Sequence, residues 1–263
     1  MTALGDAIER LSPTLPAFEP GHVWLAGAGP GRAGALTIEV LAALAEADHV
    51  VYDALVDPSV LRVAAKAELH FMGKRGGKAS ASQDDITALL VALARSGGRV
   101  LRLKGGDPFI FGRGGEEALA LVEAGIPFRI LPGVTAALGA LASALIPATM
   151  RGINKAVTLA TGHAADTGDD LDWAKLAASG EPLVIYMGLK NLGLIASRLR
   201  AGGLGDDTPV AIVMSGATEA ERVLVATLGT VVERAQAEGF ASPALIVVGA
   251  IVSMRAALLG GAE

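Results

Sequence analysis

Short apolar runs trade places with helical patterns almost from end to end of this chain, and that rhythm limits its fold more than any other feature. Val23-Trp24-Leu25-Ala26 leads into a glycine loop, residues 36–47 read as an alanine-rich helix, and Val50-Val51-Tyr52 follows as a strand. Ser82 and Asp85 have capping-box spacing and open a helix to about residue 94, which Gly97-Gly98 ends. Residues 99–103 form the next strand, residues 116–123 a helix closed by Gly125, and residues 128–131 another strand. Strands without polar alternation are covered on both faces, so the order predicts a mostly parallel sheet between layers of helix.

Beyond Gly133 the pattern restarts. Residues 135–145 form an apolar helix that Pro147 ends, and strands follow at 156–160, 183–187, 210–214, 222–227 and 245–248. The last three lie close together with little helix between the middle pair, so some antiparallel pairing is expected there. The expected fold class is therefore α/β, with two lobes and mostly parallel sheets. A flexible N-terminal extension (1–20) precedes an N-terminal α/β domain (21–133) and a C-terminal α/β domain (134–263). An active-site cleft is expected at their boundary.

Composition removes several classes of function. Of 263 residues, 52% are hydrophobic and 19% charged, enough to build large cores, yet no apolar run is long enough to span a bilayer. The net charge of −5 comes without a block of one sign, which argues against a nucleic-acid surface. The absence of cysteine excludes disulfides, thiolate metal sites and cysteine nucleophiles. Asp6, Glu9, Arg10 and three prolines interrupt the first twenty residues, so they read as no signal peptide, and a cytoplasmic location is expected.

Gly29-Pro30-Gly31-Arg32-Ala33-Gly34 fits the G-x-G-x-x-G fingerprint, follows a strand, and has Asp53 about twenty residues further on. A nicotinamide-dependent oxidoreductase using Gly29, Gly31 and Gly34 is thus one reading. Pro30 counts against it, because it removes a backbone N–H from the loop that must cradle phosphate.

Seven segments occur in one order: Gly27-Ala28-Gly29-Pro30-Gly31, Val51-Tyr52-Asp53-Ala54-Leu55-Val56, Leu103-Lys104-Gly105-Gly106-Asp107-Pro108-Phe109, Phe111-Gly112-Arg113-Gly114-Gly115-Glu116-Glu117, Pro132-Gly133-Val134-Thr135-Ala136, Thr161-Gly162-His163 and Tyr186-Met187-Gly188. Together they resemble the uroporphyrinogen-III C-methyltransferases, a branch of the tetrapyrrole methylase family, over roughly residues 21–253. The resemblance implies a homodimeric, two-domain class III methyltransferase that uses S-adenosylmethionine and no metal. It implies two methylations of uroporphyrinogen III, giving precorrin-2 by way of precorrin-1, in cobalamin or sirohaem-type biosynthesis.

By that resemblance the methyl donor touches Pro30, Gly105, Gly106, Asp107, Thr135, Ala136, Met187, Ala217 and Ala244. The residue types suit the task. Bare glycines admit close approach, Asp107 accepts hydrogen bonds from ribose hydroxyls or an amino group, and Met187 offers a polarisable face to adenine. Each also has a plainer reading: Gly105-Gly106-Asp107-Pro108 alone is a β-turn, and a lone methionine is core.

The acceptor carries eight carboxylates, and arginine forks match carboxylates bidentately. Arg113 and Arg151 are the expected handles, with Lys74 and Arg75 as further candidates; the plainer reading of each is a solvated charge. Glu116 either orients a pyrrole N–H, takes the proton lost after methylation, or complements a helix dipole. Asp53, at the carboxyl end of a strand, is placed to bind pyrrole N–H groups. His163 reads as structural.

Four positions depart from the family pattern: Arg32 where Asp is common, Met150 where His is common, Glu221 where Gln is expected, and Ala250 where Glu is common. These leave open a methylase of a later precorrin. A non-catalytic tetrapyrrole carrier is a third alternative.

Overall fold

Val23-Trp24-Leu25-Ala26 has no polar alternation because both faces of the strand it forms are covered, and every residue of that strand is buried. The computed structural model describes residues 2–73, 82–163 and 171–261. Lys74 and Arg75 lie outside the described residues. The chain divides into two compact units, Met1–Thr135 and Ala136–Glu263.

In the first unit, helix α1 (Ala3–Leu11) precedes strand β1 (Val23–Gly27), helix α2 (Ile38–Glu46), β2 (His49–Tyr52), α3 (Pro58–Leu61) and β3 (Glu68–Phe71). Then come α4 (Gln83–Arg95), β4 (Val100–Lys104), α5 (Gly114–Glu123) and β5 (Phe128–Leu131). The five strands pair in the order β3-β2-β4-β1-β5, every pair parallel. Alternation along β1 sends Trp24 and Ala26 to one core, with Val40 and Leu44 of α2. Val23 and Leu25 go to the other, with Ile86 and Leu90 of α4 and Leu121 of α5. Helices therefore cover both faces, and the loops at the carboxyl ends of the strands gather along one edge.

The N-terminal segment expected as a flexible extension contains α1. Thr2 caps it by accepting a hydrogen bond from the Gly5 N–H at 3.2 Å, and none of its residues is buried. Phe18, farther along, stacks on Trp24 with ring centroids 4.1 Å apart. β3 has no counterpart in the sequence reading.

The second unit contains α6 (Ala136–Ser143), β6 (Thr158–Thr161), α7 (Trp173–Ala178), β7 (Leu183–Tyr186) and α8 (Leu192–Ala201). It continues with β8 (Pro209–Met214), β9 (Arg222–Thr227), α9 (Val231–Ala237), β10 (Ala244–Val248) and α10 (Met254–Leu258). The strand order is β6-β7-β10-β8-β9. Only β6 and β7 run parallel; β10 is antiparallel to β7 and to β8, and β8 to β9. Antiparallel pairing was expected in this lobe, and it dominates there: three of the sheet's four strand pairs are antiparallel. The 215–221 turn folds β9 straight back on β8, and β10 enters the gap between β7 and β8 running against both. Among the described residues no helix is long and apolar enough to cross a membrane.

Candidate active site

The loops after β1, β4 and β5 are joined through bare backbone. Ala28 N–H donates to Lys104 O at 2.8 Å, while Gly29 and Gly106 exchange hydrogen bonds of 3.1 and 2.7 Å. A Cβ on Gly27 would stand 2.5 Å from Gly106 O, and one on Gly133 would stand 2.3 Å from the same oxygen. Gly106 itself has φ 71°, a left-handed conformation that glycine adopts freely. Three loops thus meet at three glycines.

This packing decides against the dinucleotide reading of the glycine loop. The N–H groups at Ala28 and Gly29 are spent on Lys104 and Gly106, Pro30 has none, and the Ala33 N–H donates to Ser59 Oγ at 3.2 Å. A pyrophosphate cradle needs several of those donors aimed at ligand.

Asp107 fastens the same region. Its Oδ1 accepts from Phe109 N–H at 2.8 Å and its Oδ2 from Gly133 N–H at 3.0 Å, so the carboxylate ties the loop after β4 to the loop after β5. Asp53, after β2, accepts from Leu55 N–H at 3.0 Å, and its other oxygen lies 3.9 Å from Arg102 Nη2. Thr135 is buried, and Ala136 opens α6. Pro30 is half-buried in the loop after β1.

Beneath these loops lies a charge cluster that the sequence reading missed. Arg102 and Lys104, two apart on β4, point to one face, where Arg102 Nε and Lys104 Nζ donate to Glu117 Oε1 at 3.1 and 3.0 Å. Gln83 Nε2 donates to the same oxygen at 3.0 Å. Glu117 is fully buried, and its Oε2 has no hydrogen-bond partner among the described residues. Burial pushes the Glu117 carboxyl up, but Arg102, Lys104 and the hydrogen bonds from Gln83 and Lys104 outweigh it and hold it below its ordinary value. Desolvation lowers Lys104, reinforced by Arg102 and opposed by Glu117. The signal in the sequence was two cations at alternate positions of an otherwise apolar strand.

Arg113 occupies the N-cap of α5 in a left-handed conformation, φ 59°. Its Nε reaches Glu116 Oε1 at 3.0 Å and Oε2 at 3.1 Å, and both side chains are exposed. The hydrogen bond with Arg113 holds the Glu116 carboxyl below its ordinary value and raises Arg113. A carboxylate so held is a weak base, which favours an orienting role for Glu116 over proton acceptance.

In the second unit, Met187 follows β7 with φ 53° and a half-exposed side chain. Ala217, φ 61°, lies in the 215–221 turn. Its N–H donates to Glu221 Oε2 at 2.6 Å and approaches Ser143 Oγ at 3.2 Å, and Ser143 also hydrogen-bonds Glu221. Glu221, a departure from the family pattern, thus fixes the turn. Ala244 opens β10 opposite Met214. Arg151 is exposed, and no ion pair or side-chain hydrogen bond engages it among the described residues.

Phe111, Arg113, Met187, Ser215 and Ala217 are non-glycine residues with positive φ, in loops that follow β4, β7 and β8. Such strain concentrates at ligand sites. Residue type gives little sign of it.

The parallel α/β sheet of the first unit and the mixed sheet of the second make an α/β fold that matches solved methyltransferase structures. The chain belongs to the tetrapyrrole (corrin/porphyrin) methylases, whose family model matches residues 22–232. It is 51% identical over 254 residues to a uroporphyrinogen-III C-methyltransferase of Sinorhizobium sp., covering 95% of this chain and 91% of that one. It is 47% identical to siroheme synthase 2 of Klebsiella pneumoniae, covering 96% of this chain but 55% of that longer protein. The crystal structure of uroporphyrin-III-C-methyltransferase from Thermus thermophilus is similar, with TM-score 0.77, 41% identity and coverage of 90% of this chain and 98% of that one. Another structure of the Thermus enzyme, complexed with S-adenyl homocysteine, has TM-score 0.75 and 37% identity, covering 88% of this chain and 99% of that one.

Proposed function

We propose that this chain transfers methyl groups from S-adenosylmethionine to two ring carbons of uroporphyrinogen III, giving precorrin-2 by way of precorrin-1. The observation that carries this reading is the 51% identity to a uroporphyrinogen-III C-methyltransferase along 91% of that relative's length. The reading extends to a cytoplasmic homodimer that serves cobalamin or sirohaem-type biosynthesis.

The donor's chemistry suits the residues available. Gly105 and Gly106 leave backbone bare, while Met187 and Ala217 are held in conformations that turn the chain sharply after a strand. S-adenosylmethionine supplies the methyl group and leaves as S-adenosylhomocysteine. The donor contacts proposed are Pro30, Gly105, Gly106, Asp107, Thr135, Ala136, Met187, Ala217 and Ala244. Asp107, whose two oxygens already fasten the backbone, contributes chiefly by fixing the loop.

The transfer is an in-line displacement at the methyl carbon. The carbon–sulfur bond breaks as a bond to the pyrrole carbon forms, and the positive charge passes from sulfur to the ring, which then loses a proton. Positioning and electrostatics are what the protein must provide. Arg151, exposed and without an ion pair among the described residues, is proposed to take a substrate carboxylate. Arg113 can share its fork between Glu116 and a second carboxylate. Asp53, steadied by Leu55 N–H and close to Arg102, offers an acceptor to pyrrole N–H groups.

The test is turnover of anaerobic uroporphyrinogen III with S-adenosylmethionine, read by product mass. Two added methyl groups are expected, with Arg151→Ala and Arg113→Ala raising KM. No mass change from a protein that still binds S-adenosylhomocysteine by calorimetry would overturn the acceptor and point to a later precorrin.

A further inference from the structure

At the opposite end of β2 from Asp53, three donor atoms converge. His49 begins β2, Glu68 begins β3 opposite it, and His70 stands two residues along β3, so strand alternation puts all three side chains on one face. His49 Nδ1 lies 3.2 Å from His70 Nε2 and 3.5 Å from Glu68 Oε2, and His70 Nε2 lies 3.9 Å from that oxygen. All three donor atoms fall within 4.8 Å of one another.

Hydrogen bonding alone serves this arrangement poorly. His49 Nδ1 carries one proton or one lone pair, yet two partners lie within reach of it. One cation satisfies all three atoms at once. The point equidistant from them is about 2.1 Å from each, against bond lengths to zinc of about 2.0–2.1 Å for imidazole nitrogen and about 2.0–2.2 Å for carboxylate oxygen. The His49 ring is already held in place, since it packs so closely on Gly98 that a Cβ there would meet its Cδ2 at 2.6 Å. Both imidazoles are largely buried, whereas Glu68 is exposed.

We propose that His49, Glu68 and His70 form a binding site for a divalent cation of the zinc class, with water in the fourth position. Two imidazoles and a carboxylate are a donor set that suits zinc and its neighbours and not calcium or magnesium. The site lies about 13 Å along β2 from Asp53, at about 3.3 Å per residue, and takes no part in methyl transfer. Its effect is on the fold: β3 is an edge strand, and the cation clips it to β2.

The experiment is calorimetric titration of the full, metal-stripped chain with zinc sulfate, paired with cobalt(II) absorption as a probe of geometry. One equivalent is expected to bind at micromolar or lower concentration, with the intense visible bands of four-coordinate cobalt and a raised melting temperature. Glu68→Gln, at an exposed position that leaves packing intact, and His70→Gln are each expected to weaken binding by at least about tenfold. His22→Gln is expected to leave it unchanged. Absence of micromolar binding in the unaltered chain, or binding that survives both ligand substitutions, would overturn the site.

Discussion

Glu117 is a fully buried carboxylate facing two buried cations, and its value to the protein depends on keeping its charge. Replacing it with Gln removes the carboxylate that Arg102 and Lys104 both contact and leaves them only the more distant Asp53, 3.9 Å from Arg102, a change expected to cost about 3–5 kcal/mol. The carboxyl is held below its ordinary value in the folded chain, so its contribution is complete above the carboxylate range and fades as pH falls through the folded value. Urea unfolding at a series of pH values should show stability dropping on the acid side, with a flatter acid limb in Glu117→Gln. An equal slope in both would remove Glu117 from the account. Asp107 and Arg113 drew notice in the sequence because they stand among glycines, and Glu116 because it follows two of them at the start of α5. Glu117 did not, because it follows Glu116 on a helix and only tertiary packing brings its partners, thirteen and fifteen residues back, against it.

At the scale of elements, apolar runs disclosed nine of the ten strands among the described residues, and those runs say nothing of direction. The antiparallel pairing expected among the last three strands rested on the short connection between the middle pair; that β10 also runs against β7 follows from its insertion between β7 and β8. β3 escaped because Glu68-Leu69-His70-Phe71 is a short, half-exposed edge strand with polar residues at alternate positions. The 215–221 turn shows how one departure from the family pattern is absorbed. Glu221 keeps an acceptor on Ala217 N–H, as a glutamine there also can. Glu221→Gln should therefore bind S-adenosylhomocysteine much as the unaltered chain does. Glu221→Ala should bind it about tenfold more weakly, the effect of one hydrogen bond to a charged group. Calorimetry distinguishes the two, and equal losses would show that charge, not the acceptor, holds the turn.

The whole molecule is two units with separate cores, each with its own sheet. Leu101 on β4 and Ile246 on β10 are fully buried in different clusters, and truncating either to alanine should cost about 2–5 kcal/mol. Hydrogen exchange should show Leu101→Ala loosening the amides of β1 and β4 while those of β8 and β10 stay protected, and Ile246→Ala doing the reverse. Uniform loosening would mean that the units unfold as one. The chain divides at residue 135, two residues beyond the Gly133 after which the alternation of runs restarts. The length of the resemblance made the chemistry legible. Hidden from it was the backbone strain at Met187, Ser215 and Ala217, since a positive φ at a residue with a side chain is a property of the folded chain.

Gly27, Gly106 and Gly133 meet so closely that their own atoms fill the space between three loops. Every missense change in a glycine codon adds a side chain, so Gly27 and Gly133 have no conservative replacement and no single-base step to anything smaller. In a population under selection for this enzyme, those two codons would drift only among synonyms. The loops around them would be free to change length and composition, provided that they still crossed at that point.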